Sequence, residues 1–323
     1  MSVNPKSEQT KATSNKVHHV EIDESNVGQR IDNFLMTYLK GVPKTHIYRI
    51  IRKGEVRVNK GRTKPVYKLA IGDIVRVPPV RVSDAKIIPD GAGGDLLRLK
   101  NAIMYEDKAI IIVNKPSGMA VHGGSGISYG VIEAMRKLYP NEKRLELVHR
   151  LDRDTSGCLI ISKKISVLRA FHEMLRSNQM EKTYVALLKG QLAGKEIRVE
   201  APLRKFVTKS GERMVCVDKN EGKSATTLFY PKQVFSQSTL VDVKLITGRT
   251  HQIRVHSLHL HHPIAGDDKY GDPKFNEAIK SVGLKRLFLH ARSLRFEHPQ
   301  TGEIMNPVAP LDKQLTKVIS NLN

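Results

Sequence analysis

The sequence has little cysteine, no tryptophan and no long apolar segment. Cys158 and Cys216 are its two cysteines in 323 residues, too few for the disulfide framework of a small secreted domain. It contains no run of about 18 apolar residues and no apolar N-terminal segment, which argues against a membrane-spanning helix and a secretory leader. We therefore expect a reduced, cytoplasmic protein without a membrane partner.

Acidic residues are also scarce relative to basic ones. Lys and Arg number 54 against 32 Asp and Glu, which gives a formal net charge of +22. Clustered cations bind polyanions because they release the counterions condensed on phosphates. The charge therefore predicts a nucleic acid partner. Hydrophobic residues make up 40% of the chain, enough for a sizeable core in two domains.

The positive charge is concentrated near the N-terminus. Residues 28–81 carry 13 Lys and Arg but 3 Asp and Glu. Apolar residues at helical spacing predict helices over 31–39 and 44–52, and the segment 69–77 predicts a hairpin. A cationic binding face is the favoured interpretation, with an ordinary solvated face as the alternative. The basic residues that fall largely off the apolar face of the second helix are Lys44, Arg49, Arg52 and Lys53.

Composition divides the chain into four parts. Residues 1–19 are polar and without periodicity, which predicts disorder. Residues 83–100 contain Pro89 and a glycine-rich run, which predicts a linker. Between them, residues 20–82 form a small α+β domain. Strands with interspersed helices fill 101–323 and predict an α+β domain with a mixed or antiparallel sheet and peripheral helices.

Hydrophobic periodicity gives the elements of this larger domain. Its central strands are apolar at every position, which is typical of strands buried on both faces. The predicted helices cover 131–138, 165–175 and 250–258, with a last helix after Pro310. The predicted strands cover 110–113, 158–161, 183–188, 196–199, 226–229, 240–245 and 287–296.

A polar loop between two apolar strands has the composition of a catalytic site. Residues 147–157 read LVHRLDRDTSG, and the apolar run 158–161 follows. Flanking strands hold such a loop rigidly, and rigid loops place reacting groups. Composition alone favours a salt-bridged structural turn at this point. Cys158 is expected to be a buried strand residue because its neighbours are apolar.

Residues 149–157 resemble the segment that carries the catalytic aspartate of the RluA-type pseudouridine synthases. The other motifs of that family are present in the family's order, and together they cover about residues 103–300. One short motif would be weak support, whereas five in order make a chance resemblance improbable. The four further matches are 114–118 with 121–122, 182–184, 247–256, and 262–271 together with 289–291.

This resemblance implies an isomerase that breaks the N1–C1′ bond of uridine and rejoins the base through C5. It implies catalysis by Asp152, stacking on uracil by Tyr184 and pairing of Arg249 with the catalytic carboxylate. Arg150 is expected to contact a phosphate or to fill the space of the flipped base, and His122 to contact RNA. No cofactor and no metal are expected, because nothing is oxidised and no group is donated. Whether the aspartate attacks a carbon or removes the C2′ proton stays open.

The basic N-terminal region resembles the S4 RNA-binding domain, in residues 30–35 and 51–59. With 39–44, it is most similar to the family members that modify 23S ribosomal RNA. The resemblance implies a ribosomal RNA partner, as naked RNA or in a precursor particle, and a monomeric enzyme. The residues expected to bind RNA in this region are Lys44, Arg49, Arg52, Lys53 and Arg57.

Three alternatives stay open. The first is a non-catalytic RNA-binding protein with a degenerate catalytic domain. The second is a hydrolase that uses Asp152 and Asp154 as a carboxylate pair on a sugar bond. The third is a metal site, although His251 and His256 are five residues apart and diverge around a helix. The histidines of that third alternative are His251, His256, His259, His261 and His262.

Overall fold

The computed structural model describes residues 16–24, 26–39, 41–80, 93–123, 129–142 and 144–322. The chain divides into two units, one ending at Ile87 and the other beginning at Ile88. None of the helices in these described ranges is long and apolar enough to cross a membrane.

In the first unit, two helices pack against a four-stranded antiparallel sheet with the strand order β1-β4-β2-β3. Both helices bury an apolar face in one core, through residues such as Phe34 and Ile50. The helical spacing in the sequence predicted both of them. The elements are β1 (His18–Glu21), α1 (Ile31–Tyr38), α2 (Lys44–Arg52), β2 (Arg57–Val58), β3 (Gly61–Arg62) and β4 (Ile74–Val77).

The prediction of disorder over residues 1–19 is wrong at its end. His18 begins β1 and is aligned with Val77 of β4 in an antiparallel pair. Backbone pairing with a distant strand stabilises this short polar segment, and composition does not reveal such pairing. The rest of that prediction, up to residue 15, lies outside the described residues.

The hairpin predicted over 69–77 is also wrong. Its second half is β4, which pairs with β1 and β2 instead. The backbone N–H of Leu69 donates to the carbonyl oxygen of Gln29 at 2.9 Å, beside the start of α1. The Gly72 turn is real, but the segment before it joins the helix entry and not a strand.

A ten-stranded sheet forms the centre of the second unit. Eight strands follow the order β10-β13-β14-β9-β15-β8-β6-β5, with β16 paired to β15 and β7 to β8. β8 and β15 are parallel and the other pairs are antiparallel. This confirms the predicted α+β class with a mixed sheet. The elements are α3 (Gly93–Lys100), β5 (Ile103–Glu106), β6 (Ile110–Lys115), α4 (Val131–Leu138), β7 (Glu146–Leu147), β8 (Ser156–Ser162), α5 (Ile165–Arg176), β9 (Glu181–Lys189), β10 (Ile197–Glu200), β11 (Leu203–Val207), β12 (Arg213–Val217), β13 (Thr226–Val234), β14 (Ser238–Leu245), α6 (Gln252–His259), α7 (Pro273–Ser281), β15 (Leu289–Glu297), β16 (Ile304–Met305) and α8 (Lys313–Leu322).

The central strands are continuously apolar because both of their faces are buried. Ile111 of β6 points into the larger core, whereas Ile110 points into a second core on the other side of the sheet. α5 covers that second core, where Phe171 packs edge-to-face on Phe296 with ring centroids 5.2 Å apart. Cys158 is fully buried there, and burial raises the pKa of its thiol to about 11. The polar loop before β8 is therefore anchored to a rigid strand.

The linker predicted over residues 83–100 is wrong in its last part. Gly93–Lys100 forms α3, and its Leu99 is fully buried in the larger core. Asp95 of this helix accepts a hydrogen bond from the Tyr129 hydroxyl at 2.5 Å. Tertiary packing stabilises a helix that a glycine-rich start disfavours. Residues 83–92 lie outside the described residues.

The hairpin of β11 and β12 was not predicted from the sequence. It is a separate two-stranded sheet. Val215 of β12 packs in a small core with Val255 of α6 and with Tyr270. The hairpin therefore rests on the helix that carries the motif residues 252–256.

Candidate active site

A cleft of about 910 Å³ in the second unit gathers residues from several of the predicted motifs. Asp152 and Arg150 come from the loop before β8, and Tyr184 comes from β9. The turn before α6 and the helix itself provide the opposite wall. The predicted site residues that line the cleft are His122, Arg150, Asp152, Tyr184 and Arg249, and they are joined by His149, Lys182, His251 and Arg254.

A buried lysine fixes the loop that carries Asp152, residues 148–155, which we call the Asp152 loop. The Lys115 side chain is fully enclosed. Burial lowers its pKa to about 7, and the charges of Asp154 and Asp152 oppose that shift. One acceptor of its ammonium is the residue next to Asp152, so segment 115–119 is tied to the loop. The acceptors are the carbonyl oxygens of Pro116 at 2.9 Å, Met119 at 2.7 Å and Arg153 at 2.9 Å.

Two further hydrogen bonds hold the Asp152 loop from the same side. The Gly118 N–H donates to the Arg153 carbonyl oxygen at 3.0 Å. The Ser117 hydroxyl donates to the Asp154 carbonyl oxygen at 2.7 Å. The motif at 114–118 therefore acts on the backbone at both residues that follow Asp152, and it leaves the carboxylate free to face the cleft.

The end of the loop is fixed by the close approach of β8 to β15. Gly157 has a φ of +112°, and a Cβ there would lie 2.2 Å from the Ala291 carbonyl oxygen, so a side chain cannot be accommodated. The Ser156 hydroxyl and His290 Nδ1 are 2.8 Å apart, which links the same two strands. The motif glycine thus has a packing role.

The guanidinium nearest to Asp152 is that of Arg254. Its Nη1 lies 3.8 Å from Asp152 Oδ2, and 29% of the aspartate side chain is exposed. Arg254 itself is held by the fully buried Asp267 in a bidentate pair, with Nε–Oδ2 at 2.7 Å and Nη2–Oδ1 at 2.6 Å. It also lies over the Tyr270 ring, 5.0 Å from the centroid. The geometry stabilises a negative charge on Asp152.

The predicted pairing of Arg249 with Asp152 is wrong. Arg249 lines the cleft but is exposed, and its Nε donates to the Ser224 carbonyl oxygen at 3.1 Å. Both arginines belong to the motif 247–256. His251 adopts a left-handed conformation, φ 53°, and directs the helix after it toward Asp152. The sequence does not show which side of that turn faces the carboxylate.

His251 is a neighbour of Asp152 that sequence reasoning missed, because it considered this residue only as a metal ligand. Its Nε2 lies 3.9 Å from Asp152 Oδ2, and its Nδ1 lies 2.8 Å from the Tyr270 hydroxyl. The Val215 N–H donates to that hydroxyl oxygen, so the Tyr270 hydrogen is available to Nδ1. This arrangement leaves the ring proton on Nε2, facing Asp152. Burial lowers the pKa of His251, although the charge of Asp152 opposes the shift.

Tyr184 presents one side of its ring to the cleft while the rest packs in the larger core. Burial, and then the charge of Asp152, raise its pKa. The phenol therefore stays protonated at neutral pH.

Two further histidines of the metal alternative have other partners. His256 is fully buried, with Nδ1 2.9 Å from the Thr227 hydroxyl and Nε2 2.9 Å from the Ala201 carbonyl oxygen. His262 Nδ1 lies 2.6 Å from the Lys189 carbonyl oxygen. Within the described parts of the chain, no cluster of three or more His, Cys, Asp or Glu side chains could hold a metal ion.

The basic residues predicted to bind RNA in the first unit are all at its surface. α2 buries Ile47, Ile50 and Ile51 in the core. Its polar side is positively charged, and no acidic residue occurs within the helix. The exposed cations are Lys44, Arg49, Arg52, Lys53 and Arg57.

Comparison with known proteins shows which family each of the two units matches. Residues 109–259 match the family profile described as RNA pseudouridylate synthase, and residues 29–75 match the S4 domain. A Yersinia pestis protein named "Ribosomal large subunit pseudouridine synthase C" is 56% identical over 300 residues, 93% of this chain and 93% of that protein. The Escherichia coli (strain K12) protein of the same name is 52% identical over 318 residues, 97% of this chain and 98% of that one.

A solved structure shows the same likeness. "Human RNA Pseudouridylate Synthase Domain Containing 4" is 26% identical with a TM-score of 0.59, and the match covers 72% of this chain and 97% of that one. The resemblance predicted from the motifs is confirmed.

Proposed function

This chain belongs to the RNA pseudouridylate synthase family, and we propose that it converts uridines of large-subunit (23S) ribosomal RNA to pseudouridine with Asp152 as the catalytic carboxylate. One observation carries the assignment of the residue. Among the described residues that line the cleft, Asp152 is the single acidic one, and it is partly exposed and faces Arg254 and His251. The substrate class is supported by the names of the relatives.

Both chemical routes open to the aspartate need what this site provides. Attack on a carbon and removal of the C2′ proton each require a negative carboxylate that a flipped nucleotide can reach. Arg254 stabilises that charge from 3.8 Å, and the His251 N–H faces it from 3.9 Å. Because Asp267 holds Arg254 in a bidentate pair, the guanidinium is positioned before substrate binds.

We assign Tyr184 to binding of the uracil base. Its ring is rigidly packed at the cleft wall and offers an aromatic face. Since its pKa is raised, the hydroxyl acts as a neutral hydrogen-bonding group and not as a phenolate base.

The hydrolase alternative is weaker because it needs a second carboxylate. Asp154 is half exposed, with Oδ1 4.0 Å from Arg153 Nε, and it is not among the described residues that line the cleft. A single carboxylate with two neighbouring N–H donors favours transfer of the base within one nucleotide.

We further propose that the S4 unit anchors the RNA through the exposed cations of α2, and that the enzyme acts as a cytoplasmic monomer on naked or precursor RNA.

Pseudouridine mapping in 23S RNA tests this function. RNA from a deletion strain should lack specific pseudouridines, which return with the wild-type gene and with Asp154→Asn but not with Asp152→Asn. The Asp154→Asn variant is the matched control, since it removes a carboxylate two residues away on the same loop. An unchanged map in the deletion strain would exclude this substrate, and restored sites with Asp152→Asn would exclude this residue. Release of free uracil would favour the hydrolase.

A further inference from the structure

Lys182 is a cation of the cleft whose charge none of the described residues compensates. It is on β9, two residues before Tyr184, and so faces the same side of the sheet. Its side chain is half-buried. In the described parts of the chain its ammonium has no hydrogen-bond acceptor and no carboxylate within 4.0 Å.

Of the four arginines that line the cleft, three have an acceptor in the protein, and the fourth, Arg150, is exposed. Arg254 is paired with Asp267, and Arg249 donates to a backbone carbonyl oxygen. Arg176, at the end of α5, is paired with Glu173. Lys182 is thus the half-buried cation of the cleft to which the described chain offers no acceptor.

The surroundings of Lys182 are neutral or positive. Its Nζ would lie 3.5 Å from a Cβ built on Gly248, so the glycine leaves open space beside the ammonium. His149 lines the same cleft, and its pKa falls to about 4 because of burial, with the charge of Lys182 adding to the effect. His149 accepts a hydrogen bond from the Ile160 N–H at 3.3 Å through Nε2, which fits a neutral ring.

An ammonium in this position is costly without a ligand. Burial lowers the pKa of Lys182, and no compensating interaction opposes the shift. Buried charges in proteins are normally paired or hydrogen-bonded. A partner of opposite charge that enters through the cleft would supply what the protein lacks. In RNA the available anion is the phosphate, to which lysine binds as a compact point charge.

We infer that Lys182 binds a backbone phosphate next to the uridine in the active site. The inference rests on the proposed function, because Asp152 and Tyr184 define where that nucleotide lies. Two positions along a strand span about 6.6 Å. Lys182 is therefore anchored next to the residue that we assign to the base, where its ammonium can reach a phosphate adjacent to that nucleotide.

Binding measurements test the contact without turnover. In full-length protein with Asp152→Asn, the Kd of a stem-loop from 23S ribosomal RNA is measured over a range of KCl concentrations. Adding Lys182→Met should weaken binding by roughly 10- to 100-fold. It should also reduce the slope of log K against log salt by about 0.7–0.9, since one phosphate is no longer neutralised by the protein. Lys182→Arg should keep most of the slope, and an unchanged slope with Lys182→Met overturns the inference.

Lys244→Met is the matched control. Lys244 of β14 is aligned with Thr183, so it lies on the opposite face of the sheet from Lys182, and its Nζ is 4.0 Å from Glu181. The Lys244→Met substitution removes the same charge from the neighbouring strand but outside the cleft. It should leave the slope of log K against log salt nearly unchanged. Lys182→Gln serves as a second neutral variant if Lys182→Met unfolds.

A single uncharged linkage in the RNA identifies the anion. A methylphosphonate is placed 5′ or 3′ of the target uridine. At the phosphate that Lys182 binds, the methylphosphonate should weaken RNA binding about as much as Lys182→Met does when Lys182 is present. In the Lys182→Met variant, the same methylphosphonate should weaken binding little further. The inference is overturned if the losses from the methylphosphonate and from Lys182→Met are additive at both positions. It is also overturned if Lys182→Met binds RNA normally but turns it over slowly, a result that would place Lys182 at the base. If the coupling is present but the wild type forms no pseudouridine, the error lies in the proposed function.

Discussion

Arg254→Met tests the link between stability and catalysis in this enzyme. Asp267, its partner, is completely enclosed and accepts two hydrogen bonds from the guanidinium. It also accepts the backbone N–H groups of Lys269 at 2.9 Å and Tyr270 at 3.0 Å. Removing the arginine leaves a buried carboxylate with two neutral donors and no positive partner.

The structure sets the size of the effect. Loss of one member of a buried ion pair lowers the free energy of unfolding by about 3–5 kcal/mol. Because two backbone donors still bind Asp267, we expect a loss at the lower end, about 3 kcal/mol. A domain of this size loses about 2–4 °C in Tm per kcal/mol, so a decrease of about 6–12 °C is expected. The free energy of unfolding of a typical domain, about 5–15 kcal/mol, leaves the variant folded at 25 °C.

Adding Asp267→Asn separates the two roles. The amide keeps an oxygen for the backbone donors but carries no charge, so most of the lost stability should return. Activity should not return, because Asp152 still lacks the guanidinium at 3.8 Å. The loss of a prepositioned electrostatic partner of a reacting group costs on the order of 10²-fold in rate.

Thermal unfolding and single-turnover release of tritium from 5-³H-uridine RNA measure the two effects. Arg249→Met is the control from the same motif, and as an exposed residue it should change stability by at most about 0.5 kcal/mol. The reasoning fails if Arg254→Met unfolds at the wild-type temperature, or if the double variant regains activity together with stability.

Three further predictions concern pH and salt. Because burial lowers the pKa of Lys115 from 10.5 to about 7, the unfolded chain binds more protons than the folded one between those values. Wild-type stability, measured by urea unfolding, should therefore rise with pH in that range relative to Lys115→Met, by up to about 1.4 kcal/mol per pH unit, and parallel curves would refute the lowered pKa. The pKa of His149 is lowered from 6.5 to about 4, so stability should fall as pH decreases between these values relative to His149→Gln, whereas equal acid sensitivity would contradict a neutral ring. Neutralising four exposed cations of the first unit together should make the salt dependence of RNA binding shallower, by up to about 0.7–0.9 for each phosphate that is no longer bound, and a slope equal to that of the wild type would mean that this unit is not the RNA anchor. The four residues are Lys44, Arg49, Arg52 and Lys53.

Elements with strong periodicity could be predicted from the sequence. α2 and α4 have the predicted bounds, since each places its apolar residues on one face. The central strands were recognised because burial on both faces makes them continuously apolar. α3 and the β11–β12 hairpin were missed, because a glycine-rich helix start and a short separate hairpin are stabilised by packing against other elements and not by local preference.

Asp152 and Tyr184 were found through motifs, whereas the residues that position them were not. Nothing in residues 114–118 shows that Lys115 donates to the backbone of the Asp152 loop, since that contact joins residues 38 positions apart. The motif 247–256 contains two arginines, and a left-handed turn at His251 decides that Arg254 is the one near Asp152. Sequence patterns identify chemistry-bearing residues, but the direction of a side chain after an irregular turn requires the fold.

The pairing of charges separates the cations of the cleft by role. Arg254 is fixed by Asp267 and sits beside Asp152, so its charge is already in place for the carboxylate when RNA arrives. Lys182 has no acceptor among the described residues and lines the cleft near the aromatic ring that we assign to the base. A cation that must hold a catalytic group benefits from a permanent partner, whereas one that must bind substrate benefits from having none, because a resident counter-charge would have to be displaced. The same contrast predicts different effects of substitution. Substitutions at Arg254 should lower the rate of the chemical step in the enzyme–RNA complex, whereas substitutions at Lys182 should weaken RNA binding.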